Sequence, residues 1–521
     1  MNRLFLYSGF LFILILIFDA YDRDYNQSQV ELDQISSAKE LNQNNKKPPQ
    51  GKIEIIKPTD DKGLNLEDIK SIQHQKLLIS LNARSGELLF SKLKDYPISL
   101  GSKESVVILD YENKKYTASS NLQIKDYDIT PEYNSIEEYP DRIKLLSTNI
   151  PKISLTKEIS LLENSHQIVV KNTITNNRDG DIYVRNYEVI SRDNNSSASL
   201  MLPTYTGSAY YDNENKFSKI SFEEILENEQ AIKAQDSWIS MIEHYFFSAW
   251  LPSESLAKMI YTNHDNGIFT IGSSTEYMTL SPGQKYEFNS VMFVGPKLQS
   301  EISDLAKGLD LTVDYGILTF LSAPLFWILD LINAAFDNWG VSIIILTILI
   351  KALFFKLSET SYRSMAQMKK LNPRMQALKE RYAEDKKKFS EALMRMYKEE
   401  KVNPLGGCLP ILIQIPVFIA LYWVLVESVE MRHAPFVGWI NDLASADPYF
   451  ILPIAMGVSM YIQQKLNPAP TDATQQKIFL FLPFIFTALF ATFPSGLVLY
   501  WLTNNILSIA QQYVINKRIV G

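Results

Sequence analysis

The stretch W-G-V-S-I-I-I-L-T-I-L-I-K-A-L-F-F-K-L, residues 339–357, decides the fold class of this chain. After Gly340 it is almost wholly apolar, and at about 1.5 Å per helical residue it can cross the hydrocarbon core of a bilayer. Lys351 interrupts this apolar run and is followed within it by Lys356. Because a lysine at mid-depth costs roughly 2.5–3.5 kcal/mol on insertion scales, the presence of Lys351 needs a physical reason.

Two reasons for Lys351 are open from this stretch alone. Its side chain can reach back toward the lipid headgroups, since Lys351 lies only about 7–8 Å deeper along the helix axis than Lys356. Alternatively, Lys351 faces a wet cavity between helices and offers a positive charge to a passing ligand. No acidic residue lies within the neighbouring apolar runs 405–426, 450–464, 478–493 and 495–514, whereas hydroxyl and amide side chains do. Hydrogen bonding between helices accounts for the uncharged groups, but an unpaired charge among them indicates a hydrated concavity.

Apolar runs and charge bias together predict a multi-pass α-helical membrane protein. The six predicted spans are an uncleaved N-terminal anchor in residues 1–21 and the segments 339–357, 404–428, 450–466, 478–493 and 494–521, the last with a short cytoplasmic tail. Residues 358–402 carry twelve Lys and Arg against seven Asp and Glu, whereas the loop 429–449 is acidic. Because positively charged loops remain in the cytoplasm, both termini and the loop 467–477 are predicted inside, and residues 22–338 outside.

The segment between the first two spans reads as a tether followed by a large β domain. Residues 22–71 are rich in Asn, Gln, Asp and Lys and cannot bury enough apolar surface to fold alone, so we predict a flexible linker. Residues 72–308 contain short alternating runs separated by turn residues, which is typical of an antiparallel sandwich.

Four local features of the β domain are predicted from the same pattern. Residues 167–174 and 182–190 read as two strands, and N-N-R-D-G at 176–180 between them is a hairpin turn signal. Residues 222–235 are predicted to form a helix. The aromatic-dense segment 238–252 is predicted to pack in the core.

Two amphipathic segments flank the second span. Residues 309–338 predict a helical segment broken near Pro324 that lies flat on the outer membrane face, with a packed domain helix as the alternative. Residues 358–403 predict two helices folded into a cytoplasmic hairpin. Its apolar stripes at helical spacing are Met365, Met368, Leu371, Met375, Leu378 and Tyr382, and then Phe389, Leu393 and Met396.

The sequence offers little for catalysis, metal binding or disulfide formation. Cys408 is the single cysteine, so no intrachain disulfide can form. There is no metal-ligand spacing, no phosphate-binding loop and no clustering of the five histidines. We therefore expect no cofactor, no metal and no enzymatic activity.

Several motifs resemble those of the YidC membrane-protein insertase family. Residues 402–417, V-N-P-L-G-G-C-L-P-I-L-I-Q-I-P-V, resemble its third-span signature. D-P-Y-F-I-L-P-I at 447–454, Q-Q-K-I at 475–478, F-P-S-G-L-V-L-Y-W at 493–501 and L-D-L-T-V-D-Y-G at 309–316 resemble family motifs in the same order. The resemblance covers the whole chain. Because it includes the β domain, the chain resembles the long, Gram-negative type of this family, whose periplasmic domain resembles the supersandwich of sugar mutarotases.

The resemblance implies an inner-membrane insertase with a five-helix core and a hydrophilic groove that is open to the cytoplasm and to lipid. Most relatives have an arginine at the position of Lys351, and lysine keeps the charge but lacks the planar five-donor fork. The predicted substrate-binding groove comprises Lys351, Thr347, Gln414, Trp501, Thr503 and Asn504.

The resemblance also implies the partners. Nascent membrane proteins are the expected substrates, and the Sec translocon, the ribosome, signal-recognition components and the lipid bilayer are further partners; no nucleic acid is expected to bind beyond ribosome contact.

Two other function classes make different demands on the sequence. A secondary transporter should show repeated halves with paired broken helices, and none is evident. An anchored sugar-processing enzyme would need a His/Glu acid–base pair in a pocket of the β domain.

Overall fold

The computed structural model describes residues 65–125, 127, 131–194, 204–252, 257–382, 385–400, 402, 409–467 and 473–520. The predicted anchor and nearly all of the predicted linker lie outside these residues, as do 403–408 of the third-span signature and 468–472 of the loop 467–477. The described residues form two compact units, 65–314 with 427–429, and 315–426 with 430–520.

The first unit contains the predicted β domain. Its strands in the described residues are β1 Ile69–Gln73, β2 Leu77–Asn82, β3 Glu87–Pro97, β4 Ser105–Asp110, β5 Thr117–Ile124, β6 Ser135–Glu138, β7 Arg142–Ser147, β8 Ile153–Leu161, β9 Gln167–Asn176, β10 Ile182–Asp193, β11 Gly207–Asp212, β12 Lys216–Ile220, β13 Ala231–Ala234, β14 Trp238–Ile242, β15 Phe246–Leu251, β16 Lys258–Asp265, β17 Ile268–Thr275, β18 Met278–Leu280 and β19 Lys285–Pro296. Its short helices are α1 Tyr111–Lys114, α2 Phe222–Glu227 and α3 Gln299–Ile302.

These strands form two antiparallel sheets. The first has the order β1-β2-β3-β5-β10-β17-β16-β13, with β4 on β3 and β18 on β10; the second has the order β12-β11-β14-β15-β19-β9-β8-β7-β6. Side chains alternate as expected for sheets with one buried face: on β9, Ile168, Val170, Asn172 and Ile174 are buried, and the residues that alternate with them are partly exposed. The predicted all-β domain with an antiparallel arrangement is therefore confirmed.

The aromatic-dense segment 238–252 lies in the core, as predicted. It forms β14 and β15, and Trp238 and Trp250 are each 1% exposed. The N–H groups of both indoles are hydrogen-bonded: Trp238 donates to the Lys307 carbonyl oxygen at 3.0 Å and Trp250 to the Val189 carbonyl oxygen at 3.1 Å. Each ring thus contributes apolar burial without leaving a buried donor unpaired.

Two local predictions for this unit are wrong. The 176–180 turn does not close a hairpin, because β9 pairs with β8 and β19 in one sheet whereas β10 pairs with β5, β17 and β18 in the other. A turn signal specifies a reversal but not the strand partner. The helix predicted over 222–235 ends at Glu227, and the chain then enters β13. The capping box of Ser221 and Glu224 favours the helix start only, and pairing with β16 draws the following residues into a sheet.

A buried ion pair lies in the first sheet, and its carboxylate also bonds to the second sheet. Glu188 on β10 accepts hydrogen bonds from Lys258 Nζ at 2.8 Å and from Ser273 Oγ at 2.9 Å, both in its own sheet. It also accepts one from Ser290 Oγ, on β19 of the other sheet, at 2.8 Å. Glu188 and Lys258 are 2% and 7% exposed, so each charge depends on the other for its compensation.

A second buried lysine lacks an acidic partner at ion-pair distance among the described residues. Lys157 Nζ on β8 donates to the Asn121 side chain, to the Gly86 carbonyl oxygen at 3.3 Å and to the Ser85 carbonyl oxygen at 3.4 Å. It also lies 5.3 Å from the centroid of the Tyr133 ring. Burial lowers the pKa of Lys157 from 10.5 to about 7.

Lys157 is expected to make the stability of the β unit depend on pH. The folded state releases the Lys157 proton near pH 7 and the unfolded chain near pH 10.5, so the unfolded state binds more protons in between. Stability should therefore rise across this interval, by up to about 1.4 kcal/mol per pH unit, and fall as the pH drops toward 7. Thermal unfolding of the full-length protein at several pH values would measure the slope. Lys157→Met should remove it, and an equal slope in that variant would contradict the assignment.

The second unit is helical. Its helices in the described residues are α4 Thr319–Phe336, α5 Trp339–Leu353, α6 Phe355–Lys370, α7 Asn372–Arg381, α8 Lys386–Glu399, α9 Leu409–Glu427 (whose last residue groups with the β unit), α10 Ile451–Leu466, α11 Ala473–Phe490 and α12 Ser495–Val520. Asn338 caps α5 by accepting a hydrogen bond from the Val341 N–H at 3.0 Å.

The helices around the second span differ in two ways from the sequence prediction. The apolar helix α5 ends at Leu353, and α6 leaves it at an angle of 69°. Helix α4 runs through Pro324, its sixth residue, instead of breaking there as predicted, although a proline at this position cannot donate the usual hydrogen bond to the Phe320 carbonyl oxygen. With the turn before it, residues 316–336 are also long and apolar enough to cross a membrane by length and composition.

The predicted cytoplasmic hairpin packs through its apolar stripes. The described segment consists of α6, α7 and α8, and the chain folds back between α7 and α8. The two stripes meet in one cluster, which the last helix α12 joins through Ile515; its members are Tyr362, Met365, Met368, Leu371, Met375, Leu393, Met396, Tyr397, Val402 and Ile515, with Leu378 and Phe389 packed against it. The stripe is thus used for helix–helix packing, as the spacing predicts.

Candidate functional site

Lys351 points across the helical unit toward α12. It lies in the last turn of α5, is partly buried, and its Nζ donates a hydrogen bond to Ser508 Oγ at 2.8 Å. No ion pair joins Lys351 to a carboxylate in the part of the chain that the structure describes. The ammonium is therefore held by a neutral hydroxyl, and its charge is uncompensated by described side chains.

Ser508 connects two helices through its hydroxyl. The hydroxyl donates to the Asn504 carbonyl oxygen one turn earlier in α12, at 2.7 Å. Its oxygen accepts the hydrogen bond from Lys351, which joins α5 to α12 at this atom. Helix α6 is bonded to α12 nearby, where Gln511 Nε2 donates to the Phe355 carbonyl oxygen at 3.4 Å.

The other uncharged residues of the predicted groove have different environments. The Thr347 hydroxyl is buried and donates to the Ile343 carbonyl oxygen of its own helix at 2.6 Å, so α5 itself satisfies it. Gln414 on α9 is partly buried and hydrogen-bonds Tyr500. Thr503 is partly buried and Asn504 is 9% exposed. Of these residues, Asn504 is connected to Lys351 by described hydrogen bonds, because Ser508 donates to the Asn504 carbonyl oxygen and accepts from Lys351.

Trp501 lies in an aromatic cluster rather than in a polar one. Its ring packs edge-on against Phe418 of α9, with centroids 4.6 Å apart. Phe490 and Phe486 of α11 lie 5.2 and 6.2 Å away by the same measure. Trp501 therefore joins three helices by apolar contact.

A second polar face of α12 contacts α10. Asn505 Nδ2 donates to Ser459 Oγ at 3.0 Å, and Gln512 Nε2 donates to Asn467 Oδ1 at 3.1 Å. Asn505 and Gln512 are two helical turns apart and so lie on one face. Helix α12 thus presents polar contacts to α10 on one side and to α5 and α6 on another.

Two of the sequence motifs have a structural role. Asp447 of D-P-Y-F is 1% exposed and accepts hydrogen bonds from the Trp439 indole at 3.0 Å and from the Leu452 N–H at 2.7 Å, which ties the loop to the start of α10. Ser495 of F-P-S-G donates through both its N–H and its hydroxyl to the Ser445 carbonyl oxygen, each at 2.7 Å. The start of α12 is therefore bonded to the loop between α9 and α10 that is predicted to lie outside, two residues before the first motif.

Sequence reasoning left Ser508, the hydrogen-bond partner of Lys351, out of the predicted groove. A signal for Ser508 existed, since it follows Asn504 by one helical turn and shares its face.

A His/Glu pair in the described part of the β unit bears on the enzyme alternative. His166 Nδ1 lies 2.9 Å from Glu301 Oε1, and His166 is 2% exposed. Burial opposes ionisation of Glu301, but the hydrogen bond from His166 prevails and leaves the pKa of this carboxyl below its ordinary value. A histidine enclosed in this way cannot contact a substrate. Among the described residues, no group of three or more His, Cys, Asp or Glu could hold a metal.

Comparisons with known proteins identify the family. Residues 331–521 match the family described as 60Kd inner membrane protein, and residues 70–328 match the YidC periplasmic domain. The chain is 41% identical to the membrane protein insertase YidC of Thioalkalivibrio sulfidiphilus, over 99% of this chain and 98% of the relative. It is 39% identical to that of Methylobacillus flagellatus, over 99% and 97%.

A solved structure described as an active YidC insertase with its first transmembrane domain resolved is similar with a TM-score of 0.40 and 18% identity, covering 85% of this chain and 94% of that one. The sequence relatives alone carry the assignment, and they confirm the resemblance drawn from the motifs. The chain belongs to the YidC family of membrane protein insertases.

Proposed function

We propose that this protein inserts nascent membrane proteins into the inner membrane by drawing a short polar segment past Lys351 and releasing the adjoining hydrophobic helix into lipid. The observation that carries this proposal is the position of the Lys351 ammonium. It is turned toward α12 and bonded to the neutral Ser508 hydroxyl, without an ion pair to any described carboxylate. Such a charge attracts an acidic segment that enters from the cytoplasm.

The proposed topology places six spans in the membrane, with both termini inside and residues 22–338 in the periplasm. Helix α4 would lie on the outer membrane face. The side chains Phe320, Trp327 and Leu331 lie on one side of the helix and are 74%, 65% and 57% exposed, whereas Phe326 and Leu329 are buried. A helix with a buried face and an exposed apolar face suits the boundary between lipid and water.

The proposed exit route lies along the apolar faces of α10 and α11. Exposed apolar residues on these helices are Ile454, Val458, Ile462, Ile478, Phe481, Phe484, Ile485 and Leu489. An incoming hydrophobic segment that leaves the polar site could exchange contacts with these side chains for contacts with lipid. Burial of its own apolar surface would then drive release, and no covalent step is required.

The remaining groove residues and partners complete the proposal. We place Thr347, Gln414, Trp501, Thr503 and Asn504 along the groove, with Lys351 as its one charge. The cytoplasmic hairpin would meet the ribosome or signal-recognition components first, and the protein would act alone or beside the Sec translocon. The β domain would adopt a supersandwich-like arrangement of its two sheets.

Crosslinking from a stalled nascent chain tests the proposal without altering the site. A photoreactive residue is placed in the short polar tail of a ribosome-bound substrate, and the crosslinked peptides of the insertase are mapped by mass spectrometry. Crosslinks to the peptides around Lys351 and Ser508 are expected. A matched chain with the photoreactive residue in its hydrophobic segment should instead mark α10 and α11. Tail crosslinks confined to the lipid-exposed faces would reject the proposed route.

A further inference from the structure

We infer that Ser508 is a positioning residue that holds the Lys351 ammonium toward the groove side of α12 and so sets where an acidic segment is received. The inference rests on the proposed function of Lys351. It adds a residue that the groove prediction omitted, and it assigns this residue a role that acts through Lys351 rather than on the substrate.

The donor position of Ser508 is used within its own helix. A serine hydroxyl has one donor and two acceptor positions. Its hydrogen goes to the Asn504 carbonyl oxygen at 2.7 Å, and its oxygen accepts from Lys351 Nζ at 2.8 Å. The bond to the α12 backbone fixes the hydroxyl rotamer, which in turn fixes the direction from which Lys351 approaches.

The Lys351 side chain would otherwise have several directions open to it. A lysine carries about 2 kcal/mol of rotamer entropy, and from the last turn of α5 its stem could also turn toward the headgroups. The 2.8 Å bond to Ser508 selects the conformation that crosses to α12. The sequence left two directions open for the Lys351 side chain, toward the headgroups or toward a cavity between helices, and Ser508 selects the second.

The same geometry leaves Lys351 able to bind. An ammonium has three N–H donors, and the described residues accept one of them, through Ser508. Two donors remain for a carboxylate of an incoming chain. A neutral acceptor suits this role, because an acidic residue at position 508 would neutralise the charge that attracts the substrate.

A double-mutant cycle tests the inference in the full-length protein. Two substrates that differ only in an acidic or a neutral translocated tail are inserted in a strain depleted of its own insertase and supplied with Ser508→Ala, Lys351→Ala, the double variant or Ser508→Thr. The Ser508→Ala variant should lower insertion of the acidic-tail substrate by about threefold to tenfold, the range of one interhelical hydrogen bond. The neutral-tail substrate should change much less. Ser508→Thr keeps the hydroxyl and should stay near wild type.

The double variant and a matched control separate positioning from packing. If Ser508 acts through Lys351, Ser508→Ala should cause no further loss when Lys351 is already alanine. Ser459→Ala is the control. Ser459 lies on α10 and accepts a buried hydrogen bond from Asn505 of α12 at 3.0 Å, on a side of α12 away from Lys351. It should affect both tails alike.

Three results would overturn the inference: unchanged insertion by Ser508→Ala, an equal loss for both tails, or full additivity with Lys351→Ala. Failure of the proposed function would look different, since Lys351→Ala would then itself leave acidic-tail insertion unchanged.

Discussion

Replacing Lys351 by alanine is expected to lower insertion of substrates with acidic translocated tails by about tenfold or more. A charge pair at about 4 Å with an effective permittivity near 20 is worth about 4 kcal/mol. Desolvation of the two groups offsets part of this, and a tenfold effect requires about 1.4 kcal/mol. The measurement is the fraction of newly made substrate that becomes protected from cytoplasmic protease in a depleted strain carrying the variant.

Two companion variants distinguish the charge of Lys351 from its bulk. Lys351→Arg should be tolerated, because it keeps the positive charge and adds donors. Lys351→Met keeps most of the side-chain volume and should resemble alanine for acidic tails, while neutral tails change little with either. If Lys351→Met inserted acidic tails at the wild-type level, the charge of Lys351 would have no part in the mechanism.

Replacing Glu188 by alanine is expected to destabilise the β unit by about 3–5 kcal/mol. The substitution leaves the buried Lys258 ammonium without its carboxylate, and it also removes the acceptor of Ser273 and Ser290. The bond from Ser290 comes from the opposite sheet, so a contact between the sheets is lost as well. The urea midpoint for proteolysis of this unit in the full-length protein would measure the change.

The double variant Glu188→Leu with Lys258→Met is the control for buried charge. Apolar replacement of a whole buried ion pair is often neutral or stabilising, so this variant should be clearly more stable than Glu188→Ala. A double variant as unstable as the single one would show that the serine contacts matter more than the ion pair.

Both Glu188 variants also test where the insertion activity resides. The site built around Lys351 and Ser508 lies wholly in the helical unit. Insertion by Glu188→Ala protein that is still present in the membrane should therefore remain close to wild type even when its β unit is sensitive to protease. A parallel loss of insertion would give the β unit a direct part in the activity.

The β unit shows what a strand pattern can predict and what it cannot. Alternation along residues 167–174 predicted a strand correctly, because burial of one face leaves a period of two in the sequence, and the aromatic density of 238–252 correctly predicted packing in the core. Most partners of β9 and β10 could not be predicted. Although β8 directly precedes β9, the partners β19, β5 and β17 lie far away in the chain, and the turn at 176–180 passes between sheets. The helix predicted beyond Glu227 failed for the same reason, since pairing between β13 and β16 overrides local preference.

In the helical unit, too, the sequence predicted some features and the tertiary structure decided others. The apolar run 339–357 by itself determined that this part of the chain belongs in a membrane, and a lone lysine within it by itself determined that a charge must be accommodated there. Hydropathy and charge are properties of a short segment, so they can be read before the chain folds. The direction of that charge was decided only by the tertiary structure. The hydroxyl that Lys351 meets lies 157 residues away in the chain, and its approach depends on the packing of α12 against α5 and α6, which no single segment encodes.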